Sequence, residues 1–384
     1  MIDFKSIQDK YELNIFPKRD IVLVKGKNSK VWDENGKEYI DCISGHGVAN
    51  IGHCNDKVIE AIEQQAKKLI TCPGSFYNDT RALLMQKLIS ISPKSLNKVY
   101  LCNSGAEANE AAIKFSRYSL KKPNFICAMR GFHGRTMGAL SATFNTNFRK
   151  DFEPLVPGFT FVPFNNIQKL NNAIDEKTVG VILEIVQGEG GVNIGEKDYF
   201  LQAQELCIKK GVLLIIDEVQ TGFCRTGKMF ASDYFDLQPD IMCLAKAIAG
   251  GLPMGAVLCS DKVSIDVGKH GSTFSGGPLV CAAANAAIDF MVDNKLSETA
   301  KDKGEYIIKK LEKKNLLKIR EIRYLGLLIG IELREKVKPY ILKLMEAGVL
   351  TLPAGATVLR LLPPLTISYE ELDVVAERVI EVLE

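Results

Sequence analysis

The sequence predicts an α/β protein in which helices cover both faces of a mostly parallel sheet. Short apolar runs bounded by polar or Gly residues recur along the chain, as is typical of buried strands in a parallel sheet. Segments with apolar residues at helical spacing separate these runs, and this alternation is the second indication of such a sheet. The expected strands cover residues 98–102, 125–129, 179–185, 212–216, 241–245 and a run that begins near 255.

A smaller α+β domain is expected at the C-terminal end. Helical patterns at about 279–294 and 300–315 precede strand patterns at 319–324 and 327–333, and Ser368 and Glu371 form a capping box before a last helix. Near the N-terminus, Asn35–Gly36 indicates a hairpin turn between short strands. We therefore expect an N-terminal segment, 1–45, that packs with a small domain, 273–384, and a large domain, 46–272, between them.

Composition excludes several classes of protein. The formal net charge of the 384 residues is +3, too small to indicate a nucleic-acid or membrane-surface partner. No apolar run approaches the ~20 residues that span a bilayer. The ten Cys residues stand singly, without a C-x-x-C pair. We therefore expect a cytoplasmic protein with reduced thiols, without disulfides or a metal site.

Two of the expected strands lead directly into residues that could take part in catalysis. The run 212–216 leads into Asp217, and the run 241–245 leads into Lys246, which a Gly–Gly pair follows closely. Ligands of open α/β sheets bind beyond the carboxyl ends of the strands, so an acid and an amine are expected in one crevice. A desolvated lysine with a lowered pKa is a nucleophile for carbonyl carbons.

A third strand is followed by a candidate anion site. After residues 98–102 comes NSGAEANEAAIK, in which Ser104 and Glu107 have the spacing of a capping box. The free N–H groups of a helix N-terminus bind phosphate, although an ordinary capped helix has the same pattern. Pyridoxal phosphate requires an anion site, a carboxylate for the pyridine nitrogen and apolar contacts on the ring faces. Ser104 with Gly105, Asp217, and Phe132 with Val219 could supply them.

Six motifs, spread in order over nearly the whole chain, resemble those of the class III aminotransferases of the ornithine and acetylornithine type. They are NSGAEANEAAIK, FHGRTMGALSAT, EIVQGEGG, IIDEVQTGFCRTGKMFA, LAKAIAGGLPMGAV and GSTFSGGPLVCAAANA. The resemblance implies the α/β architecture of fold type I pyridoxal-phosphate (PLP) transferases and a homodimer whose active sites lie at the subunit interface. It also implies that Lys246 binds the cofactor covalently and moves the proton. The other implied cofactor contacts are Asp217 at the pyridine nitrogen, Gln220 at the ring hydroxyl, Val219 and Phe132 on the ring faces, and Ser104, Gly105, Ala106 and, from the other subunit, Thr273 at the phosphate.

The resemblance also implies 2-oxoglutarate as amino acceptor. Arg135 would bind its distal carboxylate and Arg360 the carboxylate beside the reacting carbon, since guanidinium pairs bidentately with carboxylate. Glu189 would mask Arg360 while an ω-amine reacts and swing aside for glutamate. Ser272, in the hydroxyl-bearing loop before the C-terminal domain, is a further candidate substrate contact.

The loop GHGVANIGH departs from the ornithine-type pattern. Those members carry a tyrosine that meets the free α-amino end of ornithine, whereas this chain has His46 there. The loop resembles enzymes of lysine synthesis through 2-aminoadipate, whose substrates carry the small acidic carrier protein LysW on the α-amine. We therefore expect ω-transamination of carrier-bound lysine, and also of carrier-bound ornithine in arginine synthesis. N-Acetylornithine is the alternative substrate.

Other functions stay open at this point. An aminomutase or racemase would use the same cofactor, and a silent cofactor-binding protein would keep the same fold. A nicotinamide oxidoreductase is excluded because no strand leads into a G-x-G-x-x-G turn and a helix.

Overall fold

The computed structural model describes residues 2–384. The helices are α1 (Phe4–Tyr11), α2 (Ser44–Gly47), α3 (Asp56–Ala66), α4 (Asp79–Ile91), α5 (Gly105–Leu120), α6 (Met137–Ala142), α7 (Thr146–Arg149), α8 (Ile167–Ala173), α9 (Lys197–Lys210), α10 (Pro278–Asp293), α11 (Leu296–Glu312), α12 (Lys338–Glu346) and α13 (Tyr369–Leu383). Short 3₁₀ turns cover Lys150–Phe152, Ala231–Tyr234 and Lys246–Ala249.

The strands form one large sheet and three small ones. They are β1 (Leu23–Lys27), β2 (Lys30–Asp33), β3 (Glu38–Asp41), β4 (Lys98–Cys102), β5 (Asn124–Ala128), β6 (Phe159–Val162), β7 (Thr178–Leu183), β8 (Val186–Gln187), β9 (Asn193–Ile194), β10 (Leu213–Asp217), β11 (Ile241–Leu244), β12 (Gly255–Cys259), β13 (Ile319–Leu325), β14 (Leu328–Leu333), β15 (Val349–Leu350), β16 (Leu352–Ala354) and β17 (Val358–Leu361).

The large sheet has seven strands in the order β4-β12-β11-β10-β7-β5-β6. The pairs from β11 through β6 are parallel, and only β12 runs against its neighbours β11 and β4. Every residue of β7, β10 and β11 is buried, because helices cover both faces of the sheet. The expected mostly parallel α/β sheet is confirmed, with one strand, β6, that the apolar-run pattern did not predict.

The C-terminal part contains an antiparallel sheet of order β13-β14-β17-β16. The N-terminal strands form a second sheet, β1-β2-β3-β15, in which β3 pairs in parallel with β15 of the C-terminal part. The hairpin between β2 and β3 turns through Asn35 and Gly36, as expected. The boundaries at residues 45 and 272 stay a prediction.

Helix caps fix where two of the important elements begin. The Ser368 hydroxyl accepts the N–H of Glu371, whose carboxylate accepts the N–H of Ser368, so the predicted capping box is present. The Ser104 hydroxyl accepts the N–H of Glu107 at 3.1 Å, but the Glu107 carboxylate accepts the N–H of Asn103 instead of that of Ser104. Helix α5 therefore begins at Gly105 with half of the expected box.

Within residues 2–384, none of the helices combines the length and the apolar character that a membrane span requires. No group of three or more His, Cys, Asp or Glu side chains in the same range could hold a metal ion. All ten cysteines are free thiols.

Candidate active site

One cavity of about 510 Å³ opens where strands β4, β5, β7, β10 and β11 end. Parallel strands place their carboxyl ends on one edge of a sheet, and the loops that follow them form this cavity. Of the residues predicted for the site, those that line it are Ser104, Gly105, Ala106, Phe132, Arg135, Glu189, Asp217, Val219, Gln220 and Lys246. The structure therefore brings together residues from five segments that are far apart in sequence.

Asp217, at the end of β10, is held by two buried neighbours. His133 Nδ1 lies 2.7 Å from Asp217 Oδ2, and Asn109 Nδ2 donates to the same oxygen at 2.8 Å. Burial alone would lower the pKa of His133, but the hydrogen bond to Asp217 and its charge outweigh burial and raise that pKa. The pair therefore keeps a carboxylate with a fixed orientation inside a site where an unpaired charge would be costly.

Lys246 begins the turn after β11 with a left-handed backbone, at φ 47°. Its amine donates to Gln220 Oε1 at 2.6 Å. Burial lowers the pKa of this amine, the charge of Glu189 opposes the shift, and the charge of Arg360 adds to it. A lowered pKa increases the fraction of neutral amine, the form that attacks carbonyl carbons.

The N-terminus of helix α5 points into the same cavity. Ser104, Gly105 and Ala106 line it, and the first N–H groups of a 16-residue helix have no partner within that helix. A Cβ atom on Gly105 would lie 2.8 Å from Val219 Cγ1, too close for any side chain. Glycine at this position lets the helix terminus approach the loop after β10.

Arg360 lies on β17 and is 1% exposed. Its Nη2 donates to Glu189 Oε1 at 2.6 Å, whereas Nε and Nη1 are buried without a partner among the described residues. Burial alone would raise the pKa of Glu189, but the charges of Arg360 and Lys246 lower it, so the carboxylate is ionised. Arg360 itself does not line the cavity, whereas its partner Glu189 does, and two donors of the guanidinium have no competing partner within residues 2–384.

The remaining predicted residues lie around this cavity without lining it. His46 has a left-handed backbone within α2, and the neighbouring Gly47 approaches Gln220 so closely that a Cβ would lie 2.5 Å from Nε2. Burial lowers the pKa of His46, and the charge of Arg360 adds to this. The Ser272 hydroxyl accepts from Asn103 Nδ2 at 2.9 Å. Thr273 is exposed on the same loop.

Three residues of the site were not assigned from the sequence. Asn109 lies within the helical pattern of α5, and His133 is a single histidine that no local pattern marks as functional. Glu184 directly follows β7, and Asp217 is the last residue of β10, so the strand-end signal that found Asp217 could have found Glu184 too. Burial raises the pKa of Glu184 to about 8. Its carboxylate accepts the N–H of Phe132 at 2.9 Å.

The residues present fit pyridoxal phosphate. Gln220 Nε2 is a buried donor without a partner among residues 2–384, as a residue that binds the ring hydroxyl would require. Asp217 is an oriented carboxylate for a pyridine nitrogen, the N-terminus of α5 suits a phosphate, and Lys246 supplies the amine.

Comparison with known proteins identifies the family. A family model described as Aminotransferase class-III matches residues 15–383. The LysW-aminoadipate semialdehyde transaminase of Deinococcus radiodurans is 45% identical over 373 residues, covering 96% of this chain and 87% of the relative. The acetylornithine aminotransferase of Methanocaldococcus jannaschii is 42% identical over 389 residues, covering 98% and 97%.

Solved structures agree with this. The ornithine aminotransferase of Toxoplasma gondii, whose active site contains PLP at partial occupancy, superposes with a TM-score of 0.94 and 34% identity, covering 99% of this chain and 94% of that one. The fold is therefore that of the fold type I PLP enzymes, and pyridoxal phosphate is the cofactor. The chain belongs to the class III aminotransferases, in the subgroup of the acetylornithine and LysW-aminoadipate semialdehyde enzymes.

Proposed function

We propose that this aminotransferase moves the terminal amino group of an α-N-blocked diamino acid to 2-oxoglutarate, reversibly, in lysine and arginine biosynthesis. The proposed donors are lysine and ornithine bound through the α-amine to a small acidic carrier protein of the LysW kind. The single observation that carries the reaction is the Arg360–Glu189 pair beside Lys246. The pair is neutral while the two side chains are in contact, and Arg360 is a cationic site when Glu189 moves aside. The relative from Deinococcus radiodurans supports the carrier.

When bound, pyridoxal phosphate supplies an electron sink for the carbanion that forms on the substrate. Asp217 keeps the pyridine nitrogen protonated, with His133 and Asn109 fixing the orientation of its carboxylate. Lys246 would hold the cofactor through its amine and, once released from it, would act as the general base and acid that moves the substrate proton. Phe132 and Val219 cover the ring faces and keep water away from them.

The two substrates differ at the carbon beside the reacting nitrogen. An ω-amine has no carboxylate there, and Glu189 neutralises Arg360 through the 2.6 Å hydrogen bond while it reacts. Glutamate has a carboxylate at this place, so Glu189 moves aside and the buried donors of Arg360 bind the anion. Arg135 binds the distal carboxylate, and Ser272, whose hydroxyl accepts from Asn103 at the cavity wall, is proposed as a further substrate contact.

The α-amine of the donor distinguishes the candidates. His46 occupies the position at which ornithine-type enzymes are expected to have tyrosine, and the lowered pKa of its ring favours the neutral form. A neutral imidazole suits an amide-linked α-nitrogen better than it suits the charge distribution of a free amino acid. N-Acetylornithine is the second candidate, supported by the relative from Methanocaldococcus jannaschii.

We also propose a homodimer of the cytoplasm whose active sites are shared. Phe76, Tyr77 and Phe274 are exposed, and Arg81 ties their two loops together by donating to the carbonyls of Phe76 and Gly276. Apolar patches of this kind favour protein–protein contact. Thr273 is exposed on the loop that carries Phe274, so its hydroxyl could reach the phosphate site of a second subunit.

The substrate is tested by comparing kcat/KM for carrier-bound lysine, carrier-bound ornithine, N-acetylornithine and free ornithine, each with 2-oxoglutarate. The proposal predicts the highest value for a carrier-bound donor and the lowest for free ornithine. A preference for N-acetylornithine would select the second candidate. A preference for free ornithine would contradict the proposal and the role given to His46.

A further inference from the structure

The guanidinium of Arg135 lies on an aromatic ring that the reaction does not use. Its Cζ atom is 3.8 Å from the centroid of the Phe148 ring, and 5.7 Å from that of Phe132. The two rings meet edge to face, with centroids 6.0 Å apart and planes at 82°. Phe148 belongs to the short surface helix α7 and is half-buried, so a change there does not disturb the sheet.

The backbone that carries Arg135 is fixed separately. Glu110 Oε1, on helix α5, accepts from the Thr136 hydroxyl at 2.7 Å and from the N–H groups of Gly138 and Ala139 at 2.7 and 3.0 Å. This carboxylate takes the place of a side-chain cap at the start of α6, where Thr136 makes no capping bond. The Cα of Arg135 is therefore held in place, and only its long side chain remains to be oriented.

A ring orients a guanidinium without using its hydrogen-bond donors. Within residues 2–384, the Arg135 side chain makes no hydrogen bond or ion pair, unlike Arg360, which Glu189 occupies. Stacking on an aromatic face fixes the guanidinium plane and leaves the N–H groups at its edge free for a bidentate contact with a carboxylate. A carboxylate partner would fix the same side chain but would have to be displaced by each substrate.

We propose that Phe148 is a positioning residue that sets the preference for dicarboxylate substrates by holding the Arg135 guanidinium in its binding orientation. This rests on the proposed function, in which Arg135 binds the distal carboxylate. The aromatic face lowers the cost of immobilising a flexible arginine when the substrate binds. Removing the ring should therefore weaken binding of the distal carboxylate and leave the rate of proton transfer at Lys246 unchanged.

The variant Phe148→Leu removes the π face at similar bulk, and Phe148→Tyr keeps it. Phe152→Leu is the matched control, since Phe152 is an exposed ring in the next turn, whereas the rings under the Arg135 guanidinium are those of Phe132 and Phe148. We expect F148L to raise KM for 2-oxoglutarate about 3- to 10-fold at unchanged kcat, the range of a cation–π contact. F148Y and F152L should keep the wild-type KM.

Two further measurements, together with an Arg135 variant, show whether the role of Phe148 or that of Arg135 is wrong. With 2-oxobutyrate, which lacks the distal carboxylate, F148L and wild type should have equal KM. Calorimetry should show that F148L raises the Kd for glutarate by the same factor as it raises KM for 2-oxoglutarate. A wild-type KM for 2-oxoglutarate in F148L, or an equal rise with 2-oxobutyrate, would overturn the role of Phe148. If Arg135→Leu also leaves KM for 2-oxoglutarate unchanged, Arg135 itself is misassigned and the proposed acceptor site fails with it.

Discussion

The cofactor end and the substrate end of the cavity are built differently. At the cofactor end, Asp217 is the last residue of strand β10 in the large sheet and accepts from two buried partners, His133 and Asn109. At the substrate end, Arg360 comes from the antiparallel C-terminal sheet and keeps two buried nitrogen atoms without partners among the described residues. The unpaired donor at the first end, Gln220 Nε2, is one that the resident cofactor would satisfy, whereas the second end is complete only when a substrate anion is bound.

This difference follows from what each end has to do. The cofactor stays through every turnover, so one fixed set of hydrogen bonds, which the cofactor itself would complete, stabilises one geometry. The substrate end must accept an ω-amine and an α-amino acid in turn, and the Arg360–Glu189 pair can accommodate both because it can open. Leaving buried donors unpaired costs stability, which is acceptable at a site where binding repays it. Substitutions at the two ends should therefore have different kinetic signatures.

The largest effect is expected at the cofactor end. Lys246→Ala removes the group that carries the proton, so the transamination rate should fall about 10³-fold or more. The cofactor should still bind, because the α5 terminus, Asp217 and Gln220 remain. Absorbance after dialysis against cofactor-free buffer measures retention, and single-turnover kinetics measures the rate. Turnover at the wild-type rate would refute the role of Lys246.

A change at the substrate end should alter the ratio of the two half-reactions. Glu189→Gln keeps the shape of the side chain but no longer neutralises Arg360. The buried guanidinium should then favour glutamate over an ω-amine donor, shifting the ratio of their single-turnover efficiencies by about 10- to 100-fold. Stopped-flow absorbance of the bound cofactor follows each half-reaction. An equal loss in both half-reactions would mean that Glu189 only supports the structure.

The smallest effect concerns Glu184, which lines the cavity near His133, Asp217 and Lys246 at the cofactor end. Burial raises its pKa from 4.5 to about 8 in the folded protein, so the folded state binds a proton that the unfolded state releases. Stability is therefore lost as the pH rises between these values, because the unfolded chain holds fewer protons. The neighbouring charges that enter this balance are His133, Asp217 and Lys246.

The isosteric variant Glu184→Gln does not titrate and can still accept the N–H of Phe132. Wild type should therefore lose unfolding free energy relative to E184Q as the pH rises from about 5 to about 8. Urea denaturation of the cofactor-free proteins across this range measures the difference. A difference that stays constant with pH would mean that Glu184 is ionised throughout.

Much of the fold and of the cofactor end could be predicted from local sequence patterns. Asp217 and Lys246 each end a buried apolar run, and the topology of a parallel sheet brings such ends together. Strand β6 was missed because it is an edge strand whose residues are only partly buried, so its pattern is not a continuous apolar run.

The substrate end depends on long-range pairing that no local pattern contains. Glu189 and Arg360 are 171 positions apart, and only the family resemblance predicted that they would meet. The stack of Arg135 on Phe148 depends on the placement of a short surface helix, which the sequence pattern did not predict. Asn109 lies within a helix whose periodicity describes packing, so its hydrogen bond to Asp217 was visible only in three dimensions.

The central claim is that Lys246 binds the cofactor in this cavity. Borohydride reduction of the wild-type holoenzyme, followed by proteolysis and mass spectrometry, tests it most directly. We expect the reduced cofactor to be attached to the peptide containing Lys246 and to no other lysine. A label on a different lysine, or a colourless protein with unmodified Lys246 after incubation with pyridoxal phosphate, would contradict it.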